Sequence, residues 1–140
     1  MSYSLQFENK PEKSDVQVLW KGLHYYNTQF SGDEEAQELA IFVRDENQAI
    51  VAGVNGWTAF GWLHIDVLWV AENLRGQGWG KKLLVEAEAE GIRRGCKYAN
   101  LDSFSFQAPE MYKKYGYEEF GVLDNVAGKH KWHFLKKKLV

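Results

Sequence analysis

The chain has 140 residues, of which 45% are hydrophobic and 15% aromatic, and its formal net charge at pH 7 is −2. This length suits one domain with a substantial core, and the near-neutral charge argues against a nucleic-acid partner, which would need a basic face. The single cysteine, Cys96, cannot form a disulfide within the chain and favours a reducing compartment. Because no apolar run has the length of a membrane span and the N-terminus lacks a basic-then-apolar signal pattern, we expect a cytoplasmic protein with no membrane partner.

Apolar periodicity predicts strands and helices along the whole chain. In the first half we predict a strand at 3–7, a helix capped by Ser14 or Asp15 and ending near 30–33, a short helix at 34–38, a strand at 39–43, a turn at 45–47, a strand at 49–54 and a turn at Asn55-Gly56. In the second half we predict a strand at 61–70, a helix at 80–94, a strand at 98–104, a helix at 108–115, and strands at 117–123 and 131–135. Leu83, Leu84, Ala87 and Ile92 form the predicted buried stripe of helix 80–94, and Gly95 ends it.

This order of elements predicts an α/β (α+β) fold with a single domain over residues 1–140. The sheet should be mixed and mostly antiparallel, with helices on both faces. Strand 61–70, helix 80–94 and strand 98–104 should form a central, right-handed, parallel β-α-β crossover. The sequence has no repeat, linker or low-complexity segment that would mark a second domain.

A turn with three glycines, Gly76, Gly78 and Gly80, joins strand 61–70 to helix 80–94. Alternate glycines leave backbone N–H groups uncovered, and the N-terminus of a helix adds unpaired donors and partial positive charge. Together they predict an anion cradle of the kind that holds a pyrophosphate.

The spacing of this turn separates three kinds of phosphate loop. A P-loop needs four residues between its first Gly and its Gly-Lys pair, followed by Ser or Thr, whereas here three residues intervene and Lys82 follows. The dinucleotide pattern would need Gly in place of Lys81 and an acidic residue about 20 positions later. Asp102 lies near that place, so a nucleotide-binding oxidoreductase stays an alternative. The pattern Arg/Gln-x-x-Gly-x-Gly/Ala fits directly, through Arg75, Gly78 and Gly80.

That third pattern resembles the acyl-CoA pyrophosphate loop of the GNAT superfamily of N-acetyltransferases. Residues 105–117 are similar to a second family pattern, Asn-x-x-Ala-x-x-φ-Tyr-x-Lys-x-Gly-Phe. The positions that match it are Ala108, Met111, Tyr112, Lys114, Gly116 and Tyr117. Ser105 stands where the family often has Asn, and the order of elements is also that of the family.

The resemblance implies acetyl-CoA as co-substrate and assigns it a set of binding residues. These are Leu68, Val70, Arg75, Gly76, Gln77, Gly78, Trp79, Gly80, Lys81 and Ser105. A backbone N–H near 68–70 would polarise the thioester carbonyl, and pantetheine would pair with the edge of that strand. The family tyrosine, here Tyr112, would protonate the departing thiolate, a role that suits a phenol beside the thioester sulfur.

His64 and Asp66 are the candidates for the catalytic base. Strand alternation predicts that they share one face with Leu68 and Val70, while Leu63, Ile65, Val67 and Trp69 share the other. A histidine beside a carboxylate can accept a proton near neutral pH. A purely structural His–Asp pair and a base that acts through water remain open at this point. No cluster of Cys, His and Asp has metal-ligand spacing, so we expect no metal site.

The resemblance therefore implies an N-acetyltransferase that moves an acetyl group from acetyl-CoA to a primary amine by direct attack in a ternary complex. The acceptor would be a small-molecule or peptide amine, and a homodimer is one of the states to expect, since dimers are common in the family. The alternatives are a module that senses acyl-CoA without turnover and, less favoured, the oxidoreductase.

Overall fold

A computed structural model describes every residue from Met1 to Val140. Its elements are α1 (Lys13–Ser31), β1 (Gln37–Arg44), β2 (Ile50–Ala59), β3 (Trp62–Val70), α2 (Trp79–Arg93), β4 (Tyr98–Phe104), α3 (Pro109–Lys114), β5 (Glu118–Val126) and β6 (His130–Lys138), with a 3-10 turn at Glu72–Leu74. The chain divides into two compact units, residues 1–34 with α1 and residues 35–140 with all the other elements. None of the three helices has the length and apolarity that crossing a membrane requires.

The first unit differs from expectation at its start. Residues 3–7 form no strand and their side chains are exposed, so the predicted strand is wrong. Alternation of apolar residues does not by itself make a strand, because the backbone needs a pairing partner. Helix α1 forms as predicted, but Glu12 is its N-cap residue, and its carbonyl accepts the N–H groups of Asp15 (3.1 Å) and Val16 (3.2 Å). The proposed caps Ser14 and Asp15 therefore lie inside the first turn.

The second unit contains a six-stranded sheet in the order β1-β2-β3-β4-β6-β5. The pair β3–β4, which α2 connects, is parallel, and every other neighbouring pair is antiparallel. The predicted mixed, mostly antiparallel sheet with a central parallel β-α-β crossover is confirmed. The placement of α1 against this sheet stays a prediction.

The core lies on one face of the sheet, where α2 and α3 pack. Leu83, Leu84 and Ala87 of α2 and Tyr112 of α3 belong to one cluster with strand residues such as Leu63 and Leu101. The predicted burial of Ile92 is wrong, since its side chain is 42% exposed. Gly91 is buried instead, and a Cβ added there would lie 3.3 Å from Leu63 Cβ. The helix thus approaches β3 closely at Gly91, which has no side chain.

Three local predictions fail where strands are longer than the turn signals indicate. Residues 34–38 form no helix, because β1 begins at Gln37 and pairs with Thr58 of β2. Asn55-Gly56 is not a turn, since β2 continues to Ala59 and the chain reverses at Phe60 and Gly61. The loop predicted over 124–130 shrinks to 127–129, because β5 and β6 extend into it. In each case pairing within the sheet outweighs local propensity.

A β-bulge in β3 positions the site. Asn55 pairs with Val67 and Gly56 with Ile65, so Asp66 is an extra residue with no partner in β2. A bulge reverses the alternation of faces beyond it. Leu68 and Val70 therefore share the core face with Ile65 and pack against the core cluster, while His64 lies on the opposite face. The predicted grouping of His64, Asp66, Leu68 and Val70 on one face is wrong for this reason.

Gly56 permits this bulge, and we expect Gly56→Ala to destabilise the fold. An added Cβ would lie 2.1 Å from the carbonyl oxygen of His64, so the backbone would have to move. We expect the free energy of unfolding, measured by chemical denaturation, to fall by about 2 kcal/mol or more. Gly121→Ala is the matched strand control, because its Cβ would meet only Phe134 at 3.9 Å. Equal stability of the two variants would contradict this account of the bulge.

Candidate active site

A cavity of about 750 Å³ lies where β3 and β4 separate. The two strands pair only from Trp62–Tyr98 to Ile65–Leu101, directly before the bulge at Asp66. Ten predicted site residues line the cavity: Asp66, Leu68, Val70, Arg75, Gly76, Gly78, Trp79, Gly80, Lys81 and Tyr112. Three predicted site residues, His64, Gln77 and Ser105, are not part of its wall.

The edge of β3 presents unpaired backbone groups to this gap. The N–H of Ala71 donates to the carbonyl of Val51 in β2 (2.9 Å). Because successive N–H groups of a strand point in opposite directions, those of Leu68 and Val70 point away from β2, towards the gap. In agreement, the Val70 carbonyl accepts a hydrogen bond from Arg75 Nε (3.0 Å) and not from a strand. This edge can pair with an extended ligand that has amide groups.

The glycine turn and the start of α2 form one end of the cavity. Gly76 (φ +78°) and Gly78 (φ +86°) adopt left-handed conformations, and Gly78 is the N-cap residue of α2. The first helical hydrogen bond runs from Lys82 N–H to the Gly78 carbonyl (3.1 Å), so the preceding N–H groups have no partner within the helix. A Cβ on either glycine would meet nothing within 4 Å, which leaves open space above the backbone. With Arg75 and Lys81 in the wall, this end suits phosphate groups.

Gln77 and Ser105 have structural partners instead of facing the cavity. Gln77 Nε2 donates to the carbonyl of Asn73 (3.3 Å) within the turn. Ser105 Oγ accepts the N–H of Lys131 (3.0 Å), which connects the end of β4 to the start of β6. The sequence pattern located both residues beside the site, but it did not show where their side chains point.

Tyr112 lies in the cavity wall on α3, which Pro109 starts. Its side chain is 9% exposed and its ring contacts Tyr117 edge-on, with 6.1 Å between centroids. Burial, with the charge of Asp102 in addition, raises the pKa of Tyr112 to about 12. The phenol is therefore protonated at neutral pH and can act as a proton donor.

His64 contacts Asp66 and lies on the face of β3 opposite the core. Its Nε2 is 3.0 Å from Asp66 Oδ1, and its Nδ1 is 2.5 Å from Asn100 Oδ1. The Trp57 ring packs beside the imidazole at 5.1 Å between centroids. Asp66 lines the cavity whereas His64 does not. A proton taken up at Asp66 can thus be shared with an imidazole outside the wall.

Sequence reasoning missed other residues of the cavity wall, and it considered Asp102 only as the acidic residue of the dinucleotide pattern. Asp102, Ser103 and Gln107 line the wall beside Phe106. Asp102 accepts a hydrogen bond from Trp132 Nε1 (2.7 Å). Asn100 and Asp102 are two residues apart on β4 and therefore share one face of the strand. The parallel register of β3 and β4 places Asn100 opposite His64. These residues could have been found only from the exact pairing of the two strands. No group of three or more His, Cys, Asp and Glu side chains is arranged to hold a metal ion.

Comparison with known proteins identifies the class. The model of the acetyltransferase (GNAT) family matches residues 3–117, and the chain belongs to this family. It is therefore an enzyme of the acyltransferase class, as the sequence predicted.

Individual relatives agree with this assignment. An acetyltransferase of Agrobacterium fabrum is 34% identical over 81% of this chain and 82% of its own length. The blasticidin-S acetyltransferase of Streptomyces morookaense is 31% identical over 75% of this chain and 80% of its own length. The crystal structure of an acetyltransferase from Bacillus cereus is 37% identical, covers 95% of this chain and 97% of that one, and superimposes with a TM-score of 0.84.

Proposed function

We propose that this chain transfers an acetyl group from acetyl-CoA to a primary amine by direct attack in a ternary complex. The observation that carries the proposal is the cavity between β3 and β4, which has a glycine turn at one end and Asp66 with Tyr112 in its wall. We also propose that residues 1–140 act as one N-acetyltransferase domain.

The residues of the cavity fit coenzyme A in three sections. The N–H groups at the start of α2 and the cations Arg75 and Lys81 would hold the pyrophosphate. The N–H and C=O groups on the edge of β3 match the amides of pantetheine. One of the N–H groups of Leu68 and Val70 would stabilise the negative charge that develops on the thioester oxygen in the transition state.

An acceptor that binds as an ammonium group must lose two protons from its nitrogen, and the departing sulfur must gain one. Asp66, in the wall, would attract the ammonium group of the acceptor, and the His64–Asp66 pair would take a proton from it. The nitrogen then forms its bond to the acetyl carbon while the carbon–sulfur bond breaks. Tyr112 would donate its phenolic proton to the departing sulfur, and the second proton lost from nitrogen would restore the phenol, so that the products are an amide, a thiol and the proton held by the His64–Asp66 pair.

The chemistry of the wall favours a cationic small-molecule acceptor. Asp66 and Asp102 supply two carboxylates beside the exposed ring of Phe106. A relative that is 31% identical is named for acetylation of blasticidin S, which supports an antibiotic or another small amine as acceptor. A peptide amine is the second acceptor class.

A thiol-release assay with acetyl-CoA and a panel of amines tests the function. We expect thiol release that depends on the amine, with blasticidin S, polyamines, amino acids and peptides in the panel. Coenzyme A should raise the melting temperature, because a ligand of the native state stabilises it, while NAD and ATP should not. Stabilisation by coenzyme A without turnover of any amine would favour the sensor module, and stabilisation by NAD alone would favour the oxidoreductase.

A further inference from the structure

The contact between His64 and Asn100 assigns a proton on the imidazole. Asn100 Oδ1 lies 2.5 Å from His64 Nδ1, and a carbonyl oxygen can only accept a hydrogen bond. Nδ1 must therefore carry the hydrogen in this contact. In a neutral imidazole the other nitrogen, Nε2, then has a free lone pair.

That lone pair faces a carboxylate. Nε2 is 3.0 Å from Asp66 Oδ1, so two acceptors face each other until a proton arrives between them. Asp66 alone would favour the opposite tautomer, in which Nε2–H donates to its carboxylate and no acceptor remains in the contact. The partner at Nδ1 therefore determines whether the pair can take up a proton.

We propose that Asn100 is a positioning residue that keeps neutral His64 protonated at Nδ1, so that the His64–Asp66 contact can receive the proton of the acceptor amine. This inference rests on the proposed function, since it gives a role to the pair in that reaction. Asn100 itself does not line the cavity and acts through His64.

The side chains in contact with the imidazole come from its own strand, from β4 and from β2. Asp66 on its own strand is the charged neighbour, Asn100 contacts it from β4, and Trp57 packs on it from β2. Lys136 lies opposite Asn100 in the register of β6, and its Nζ is 3.9 Å from Glu118 Oε1. The tautomer thus depends on the competition between Asp66 and Asn100.

The direct test is the tautomer of His64, observed by NMR of the full chain with ¹⁵N-labelled histidine. In the unmodified protein we expect Nδ1 protonated and Nε2 unprotonated at pH values where the ring is neutral. Asn100→Leu should reverse the two signals, whereas Asn100→Asp, which keeps an acceptor oxygen, should retain the Nδ1–H form. An Nε2–H tautomer in the unmodified protein would mean that the amide is reversed, and it would overturn the proposal.

Activity tests the consequence separately. At pH 7 we expect Asn100→Leu to lower kcat/KM by about 10²-fold, the lower range for general base catalysis, with acetyl-CoA affinity unchanged. Asn100→Asp should retain turnover but shift the acidic limb of the pH profile upwards, because its charge favours the imidazolium. An unchanged kcat/KM for Asn100→Leu, despite a reversed tautomer, would remove the positioning role.

A matched control is Glu119→Gln, which breaks another histidine–carboxylate contact on the same sheet. His133 Nδ1 lies 2.6 Å from Glu119 Oε2, and neither residue lines the cavity. This variant should change neither the tautomer of His64 nor the pH profile. A change as large as that of Asn100→Leu would overturn the assignment to Asn100.

If Asn100→Leu does not fold, the isosteric Asn100→Asp can still be used to measure the tautomer of His64 by NMR and the pH profile of activity. If no amine is acetylated, the NMR signals still decide the tautomer, so the two proposals fail separately.

Discussion

Gly78→Val should weaken binding of coenzyme A by about 100-fold. Gly78 adopts φ +86° at the N-cap of α2, where its backbone is open on the cavity side. A branched side chain there would cover the N–H groups that we assign to the pyrophosphate, and it would also disfavour the left-handed conformation. Losing two hydrogen bonds to a charged group, at about 1.5 kcal/mol each, corresponds to about 100-fold in affinity.

Gly128→Val separates blocked binding from backbone strain. Gly128 also has a left-handed conformation (φ +81°) and open space around it, but it lies in the turn between β5 and β6, outside the cavity wall. Calorimetric titration with coenzyme A should give an unchanged affinity for this control and a weakened one for Gly78→Val. If the folded Gly78→Val protein binds as tightly as the parent, the phosphate end of the site is assigned wrongly.

The position of the glycine turn in the cavity wall was predictable because its signal is local. A glycine turn between an apolar strand and an amphipathic helix determines the backbone geometry over a few residues, and no distant contact is needed to recognise it. Gly76, Gly78 and Gly80 accordingly line the cavity at the predicted place. The same holds for Tyr112, whose position on a short helix after β4 follows from Pro109 and the apolar spacing.

The faces of β3 were not predictable from alternation. Alternation holds only while each residue has one partner, and the unpaired Asp66 breaks this rule. The sequence has no Gly or Pro in β3 to indicate an irregularity; the glycine that permits the bulge, Gly56, lies in the neighbouring strand. A non-local contact therefore determines the orientation of Leu68 and Val70, and this is why alternation along the sequence predicted the wrong face for their side chains.

The contact of His64 with Asp66 was predictable, but its surroundings were not, for a related reason. His64 and Asp66 were chosen from one strand, and they are in contact. Their environment depends on β4, which is adjacent in the sheet but more than thirty residues away in sequence. Asn100 and Asp102 enter the site only through that parallel pairing, so a search along the sequence had no reason to select Asn100.

Tyr112→Phe should lower kcat by about 100-fold and leave coenzyme A affinity nearly unchanged. The ring and its packing are retained and only the hydroxyl is lost. General acid catalysis is worth about 10²–10⁴ in rate, and we expect the low end for two reasons. A thiolate is a fair leaving group without help, and burial that raises the pKa of Tyr112 to about 12 makes the phenol a weak acid until charge develops on sulfur.

The pH dependence and a second tyrosine make this test specific. With a raised pKa of about 12, Tyr112 stays protonated from pH 6 to 9, so the deficit of Tyr112→Phe should be constant over that range. Tyr117→Phe is the control, because the Tyr117 hydroxyl donates to Glu88 Oε2 (2.8 Å) and does not line the cavity. Tyr117→Phe should lower the free energy of unfolding by about 1.5–3 kcal/mol, the value of a hydrogen bond to a charged group, and leave kcat unchanged.

The kcat of Tyr112→Phe must be measured with an acceptor amine at saturating acetyl-CoA, under conditions where the chemical step is shown to limit the rate. If Tyr112→Phe then turned over as fast as the parent, Tyr112 would be a packing residue, since a group that donates the proton in the rate-limiting step cannot be removed without slowing that step.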